Sequence, residues 1–383
     1  MPEWAVRVVG KASEISLADW NACAGHSNPF AQAEFFRALE DSGSATTRTG
    51  WQPVHLVADG EDGRPAGIMP GYLKTHSQGE YVFDHAWADA WSRAGGQYYP
   101  KLQAAFPFTP ATGPRLLLRD PACAPALIAA AEQITSANGF SSAHATFITP
   151  EQQALFKQAG WLIRMGEQFH WQNDGYRDFG DFLAALSSSR RKMIRKERER
   201  AVAGLDIIHL TGADITESHW DAFWTFYQDT GARKWGQPYL TRRFFSQIGE
   251  AMGDRTLLMF AVRAGQPIAG ALNFIGDECL YGRYWGCTED VPFLHFELCY
   301  YQAIEWAITH NRARVEAGAQ GQHKLARGYR PTPVISAHFI PNAGFRQAVA
   351  DYLARETQAM IEEIEYLDAH GPFRQPQGSA AQG

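Results

Sequence analysis

Five cysteines in 383 residues, with no pair at Cys-x-x-Cys spacing, argue against both a disulfide frame and a structural zinc site. Cys23, Cys123, Cys279, Cys287 and Cys299 fit reduced thiols in a cytoplasm, which is the expected location. No apolar run approaches the ~18 residues that a bilayer-spanning helix needs. The stretch from Met1 to Val9 has no basic start leading into an apolar segment, so no secretion signal is expected. Also missing are a His-Glu-x-x-His motif, a P-loop and a serine nucleophile elbow, which leaves metalloprotease, NTPase and α/β-hydrolase readings unsupported and no metal expected. Basic residues are outnumbered 35 to 41, for a formal net charge of −6. That balance excludes a whole-surface nucleic-acid binder and leaves room for a local basic patch.

What is present describes a folded chain: 45% hydrophobic and 20% charged residues. The length exceeds one ordinary core and suits two domains. Gly63-Arg64-Pro65 matches Gly265-Gln266-Pro267, and Tyr98-Tyr99 matches Tyr300-Tyr301, all at a shift of 202. Phe35-Phe36 matches Phe244-Phe245 at 209. Around these pairs the pattern predicts the same order twice: helix, three-strand meander, helix, strand. In the first half the strands are expected over 52–58, 66–74 and 80–86. In the second they are expected over 256–263, 268–275 and 278–285, after a helix over 241–252 with Thr241 as N-cap. A helix over 295–310, strands over 314–317 and 334–339 and an acidic helix over 344–368 follow. Domains are therefore placed at 1–173 and 174–370, divided at the turn Asp174-Gly175-Tyr176. The tail 371–383, rich in Gly, Pro, Gln and Ser, is expected to be disordered.

Several stretches carry a likeness to a known family. They are Gly79 to Asp84, Pro107 to Pro110, Lys234-Trp235-Gly236 with Pro238 to Thr241, Leu280 to Gly286, Phe293 to Glu297, and Gly318-Ala319-Gln320-Gly321. The chain resembles the FemAB-like acyltransferases of the GNAT superfamily over about residues 28 to 356, most nearly the subfamily of N-acyltransferases related to peptidoglycan biosynthesis. The resemblance implies an α/β fold of two tandem GNAT-like domains with mixed sheets. It implies transfer of an acyl or aminoacyl group from an activated donor to an amine. No tightly bound cofactor is implied; the co-substrate is either acyl-CoA or aminoacyl-tRNA. CoA-binding relatives carry a glycine-rich loop whose amides hold the pyrophosphate at a helix N-terminus. The equivalent stretch here, Gly286 to Pro292, has one glycine and two carboxylates, Glu289 and Asp290. An acetyl-CoA-dependent acetyltransferase of a small amine or protein, and a tandem unit that binds without chemistry, stay open as alternatives.

Acyl transfer to an amine needs a proton acceptor, an aligned donor and a stabilised oxyanion. Gly318, Gln320 and Gly321 permit close backbone approach to a ligand, and His323, Lys324 and Arg327 follow with donors and a titrating group. An ordinary polar surface loop would read much the same. Glu297, in the apolar run 293–301, is either a buried base or a glutamate favoured by the helix dipole. His295 reads as a structural histidine. Arg191, Lys192 and Arg195 belong to a strongly cationic helix from Ser187 to Arg200, where Arg191, Arg195 and Arg198 share a face suited to phosphate. A solvated helix face is the competing reading. Lys234 and Trp235 could grip a substrate from a loop, whereas Trp220, Phe223, Trp224 and Tyr227 fall at core spacing.

Overall fold

The computed structural model describes residues 4–234, 238–319 and 321–374, and for 230–234 the backbone alone. Fifteen strands are present among them: β1 Val6–Val9, β2 Trp51–Pro53, β3 His55–Asp59, β4 Pro65–Met69, β5 Gly71–Lys74, β6 Lys101–Ala104, β7 Leu117–Leu118, β8 Ala143–Ile148, β9 Leu162–Gln172, β10 Asp206–Thr211, β11 Thr256–Arg263, β12 Gln266–Ile275, β13 Cys279–Cys287, β14 Arg314–Glu316 and β15 Arg330–Phe339. A small sheet has the order β1-β3-β4-β7. The larger runs β10-β11-β12-β13-β14-β9-β15-β8-β6-β5-β2. It is therefore continuous through both halves: β9 bonds β14 on one side and β15 on the other, and β15 continues to β8. The turn at Asp174 divides the chain but not the sheet.

The second half follows its hydrophobic pattern closely. Thr241 caps the helix Arg242–Met252 by accepting from Phe244 N, and β11, β12 and β13 form the expected meander. In the first half, 52–58 and 66–74 each break in two, at Val54 and Pro70, and the pieces join different sheets. Pro70 has no N–H to offer a ladder, and Val54 N is spent on Gly71 O at 2.8 Å.

The expected strand over 80–86 is not one. Glu80 and Asp84 turn inward onto Lys101, and the chain enters the helix His85–Arg93 with Asp84 at its N-cap position. Ion pairing there overrides alternation, and β6 takes the strand position beside β5. The match of Tyr98-Tyr99 with Tyr300-Tyr301 also fails, since the first pair precedes a strand and the second lies in a helix. The other matches hold in place: Pro65 and Pro267 both lie at the start of the return strand of a hairpin, as its first and second residue, each beside a bulge.

The helices carrying Phe35-Phe36 and Phe244-Phe245 pack on each other, with 6.2 Å between the Phe35 and Phe244 ring centroids. Phe30 meets Phe274 and Tyr281, both at 5.1 Å. One aromatic cluster thus joins the halves and fixes any cleft between them. At the C-terminus the tail begins in ordered contact: Ser187 N donates to Pro372 O, Arg374 N to Ala185 O, and Phe373 bridges to Leu186. Residues 375–383 lie outside the described residues. No helix among the described residues is long and apolar enough to cross a membrane.

Candidate active site

Strands β13 and β14 pair only through Cys279–Tyr281 with Arg314–Glu316, then separate as β13 continues to Cys287. A cavity of about 90 Å³ lies there, lined among others by Asn273, Arg283, His295, Cys299, Tyr300 and Ala317. The corresponding space in the first half is occupied. Beyond the last β6–β8 pair, Ala104 with Ala145, Gly113 N bonds Phe147 O at 3.0 Å. Arg115 is wholly buried there, its guanidinium 3.8 Å from the Phe106 ring centroid and bonded to the Ala111 and Gly113 carbonyls.

Chain emerging from β14 makes the glycine turn. Gly318 and Gly321 have φ of +79° and +124°, and a Cβ at Gly321 would stand 2.6 Å from the His323 ring. Ala319, Gly321 and Gln322 line a second cavity of about 340 Å³, walled by Tyr81, Phe147, residues 164–169 of β9, Val334 and Ser336 of β15, and Glu356 and Met360 of the helix Ala343–Ala369. The turn thus stands between the two cavities, with Ala317 at one and Ala319 and Gly321 at the other.

Lys324 lies on the short 3-10 helix Gln322–Arg327, which returns its side chain beneath the turn. It is 1% exposed, and its Nζ donates to Gly318 O at 2.9 Å. Burial brings its ammonium down to about 7, because the charged form is poorly solvated there. His323 is exposed and its Nε2 lies 2.9 Å from the Tyr300 hydroxyl, on the wall of the small cavity. The five residues Glu297–Tyr301 form a π-helical turn between Leu294–Phe296 and Gln302–Thr309, in place of the uninterrupted helix expected over 295–310. Such turns frequently lie at functional sites. This one carries Cys299 and Tyr300 on the cavity wall.

Other sequence candidates are placed elsewhere. Glu297 is fully buried, but its carboxylate is taken by Arg198 at 2.9 Å and Gln302 at 2.7 Å, so it does not serve the turn as a base. Arg198 also holds Glu305 at 2.7 Å, which removes it from the phosphate face drawn with Arg191 and Arg195. Breaking this pair is a stability matter: Glu297→Gln should lower the melting temperature and leave turnover per folded molecule unchanged. Lost turnover in a folded variant would restore Glu297 to the chemistry. Arg327 is also committed, to Glu197 at 2.8 Å and to His323 O. Arg191 is half-buried and Lys192 and Arg195 are exposed on the helix Ser188–Ala201; none lines either cavity. Lys234 ends the helix Glu217–Lys234, and its side chain, Trp235 and Gln320 lie outside the described residues.

Sequence reading missed Glu167, on β9 opposite Pro333 and on the wall of the large cavity. Its Oε2 is buried and finds no donor among the described residues. Burial, and then the charge of Glu363, push its carboxyl up to about 7. The only sequence signal was a carboxylate within the run 162–172, legible once β9 is known to be an interior strand.

Residues 11–375 match the FemAB-like family, described as acting in peptidoglycan biosynthesis or recognition. The chain belongs to the FemAB-like family. With membership goes the broad class, an acyl or aminoacyl transferase of GNAT-like fold. The crystal structure of FemX superposes with a TM-score of 0.55 at 12% identity, covering 90% of this chain and 100% of that one. The L-PGS structure from Bacillus licheniformis gives 0.51 at 10% identity, covering 90% and 98%. At such identities these likenesses concern the fold. No curated protein matches the sequence. For this FemAB-like chain, the pyrophosphate loop expected of a CoA enzyme does not fit: Thr288 N is bonded to Ile268 O at 2.9 Å, and Glu289 is paired with Arg263. With Asp290 beside them, these residues offer an anion little.

Proposed function

We propose that this FemAB-like chain transfers an aminoacyl or other acyl group from an activated ester donor to an amine, at the turn between the two cavities. The carrying observation is that the chain leaving β14 borders both spaces, with Ala317 at the small cavity and Ala319 and Gly321 at the large one. The acyl end of the donor lies in the small cavity, where β13 leaves β14, and the amine comes through the large one. The amine attacks the acyl carbon, the C–N bond forms and the donor's C–O bond breaks. Backbone amides of Gly318, Ala319 and Gly321 stabilise the oxyanion, with Lys324 holding the turn from below through Gly318 O. His323, hydrogen-bonded to Tyr300, is placed to return a proton to the leaving oxygen. The cationic helix with Arg191, Lys192 and Arg195 steers a phosphate-bearing donor toward the chain.

The poor fit of the 286–292 loop to pyrophosphate favours an aminoacyl ester, such as charged tRNA, over acyl-CoA. A thermal-shift and transfer screen with acetyl-CoA and a charged tRNA pool tests this. A donor present at ~100 times its Kd stabilises by about 2.7 kcal/mol. Charged tRNA is expected to stabilise the chain and label an amine acceptor. Labelling from acetyl-CoA alone would reverse the donor assignment. Binding without transfer from any donor would leave a non-catalytic tandem unit.

A further inference from the structure

We propose that Glu167 is the seat of the acceptor's ammonium group: the large cavity admits the amine as its cation, and Glu167 takes the proton that must leave before attack. This rests on the amine-transfer reading above and adds a residue to it. The charges around the cavity support it. Its one arginine, Arg164, is already engaged, donating to Glu356 at 2.6 and 2.8 Å and to Phe83 O at 2.8 Å. Glu356 is satisfied by that pair and by the Tyr352 hydroxyl. Among the described residues of the wall Glu167 therefore has no counter-ion, and Glu363, bonded by Gln322, adds a second negative field. A buried carboxylate oxygen without a donor is costly, and an incoming ammonium supplies both charge and hydrogen bonds. Tyr81, Phe147 and Phe169 line the same space and offer aromatic surface that suits a cation.

The proton count closes. The ammonium R–NH3+ gives one proton to the Glu167 carboxylate, and the free amine attacks the acyl carbon. The nitrogen's second proton passes to the leaving oxygen as the C–O bond breaks. Glu167 then releases its proton to solvent, giving amide, alcohol and one proton overall. A carboxyl displaced to about 7 by burial and Glu363 suits that exchange near neutral pH.

Two measurements test the assignment, and the first needs no donor. Benzylamine should raise the melting temperature of the full chain at pH 7.5, and benzyl alcohol of the same shape should not. In Glu167→Gln the benzylamine effect should vanish. Equal shifts from both probes, or an unchanged benzylamine shift in the variant, would overturn the seat. In the transfer assay, Glu167→Gln should lose ~100-fold in kcat/KM, with partial rescue by Glu167→Asp. Wild-type kcat/KM in Glu167→Gln would sink this inference and leave the transferase reading standing. Benzylamine binding with no transfer from any donor would do the reverse.

Misfolding does not confuse the test. Because the folded carboxyl is raised, the folded state holds more protons than the unfolded between about 4.5 and 7. The contribution of Glu167 to stability therefore falls as pH rises through that window, and Glu167→Gln should be no less stable at pH 8.

Discussion

Lys324→Ala is expected to reduce turnover by ~100-fold, the scale of losing one organising group at an oxyanion site, with a much smaller effect on melting temperature. The lysine is buried with Gly318 O as its hydrogen-bond acceptor, so removing it frees the turn that borders both cavities. Its ammonium, meanwhile, is poorly solvated, which limits what the fold loses. The shape-preserving Lys324→Met separates the effects. Folded Lys324 titrates near 7 against 10.5 unfolded, so the unfolded state holds more protons between those values. Stability of the wild type consequently rises with pH across that window. Lys324→Met removes this contribution and should gain most, relative to wild type, at pH 6, with the advantage shrinking toward pH 10. Lys74, brought down to about 7 by burial as well, supplies the rise that remains. A kcat loss at nearly constant KM would mark Lys324 as a positioning residue. Equal turnover per folded molecule would remove it from the mechanism.

The largest stability effect is expected far from the turn. Lys101 is fully buried on β6, with its Nζ bonded to Glu80 at 2.7 Å, to Ser77 at 2.9 Å and to Asp84. Burial pushes Glu80 up to about 7 even so, while for Asp84 the same burial is outweighed by Lys101, which holds it below the usual range. Lys101→Met leaves Asp84 in the interior without its cation and Glu80 with only Lys74, at 3.9 Å. The expected cost is ~3–5 kcal/mol, the range for breaking a buried ion pair from one side. Adding Glu80→Gln and Asp84→Asn should recover much of it, because the uncompensated charges then disappear. Denaturant unfolding of the single and triple variants checks both statements. A single variant within ~1 kcal/mol of wild type would refute the argument.

The contrast between halves explains what was legible. Strands over 256–263, 268–275 and 278–285 stand near β11, β12 and β13 because each alternates against a core and ends at a turn. The run 80–86 looked similar, but its carboxylates answer to Lys101, fifteen or more residues away. Alternation carries no record of such a partner. Glu297 and Glu167 make the same point in the site. One sits in an apolar helix and proved to be held by Arg198; the other sits in a strand and faces a cavity with no donor among the described residues.

By itself the sequence determined the family, the meander of the second half and the glycine turn with His323 and Lys324 behind it. Those are local properties, written in spacing and in residues that few backbones tolerate. Tertiary structure alone decided that the sheet is continuous, that the first half's gap is filled by Arg115, and that Lys324 lies beneath the turn. It alone decided which carboxylate has a partner and which waits for one. The reason is physical: charge compensation and enclosed space depend on residues brought together from distant parts of the chain, and a linear pattern does not contain those distances.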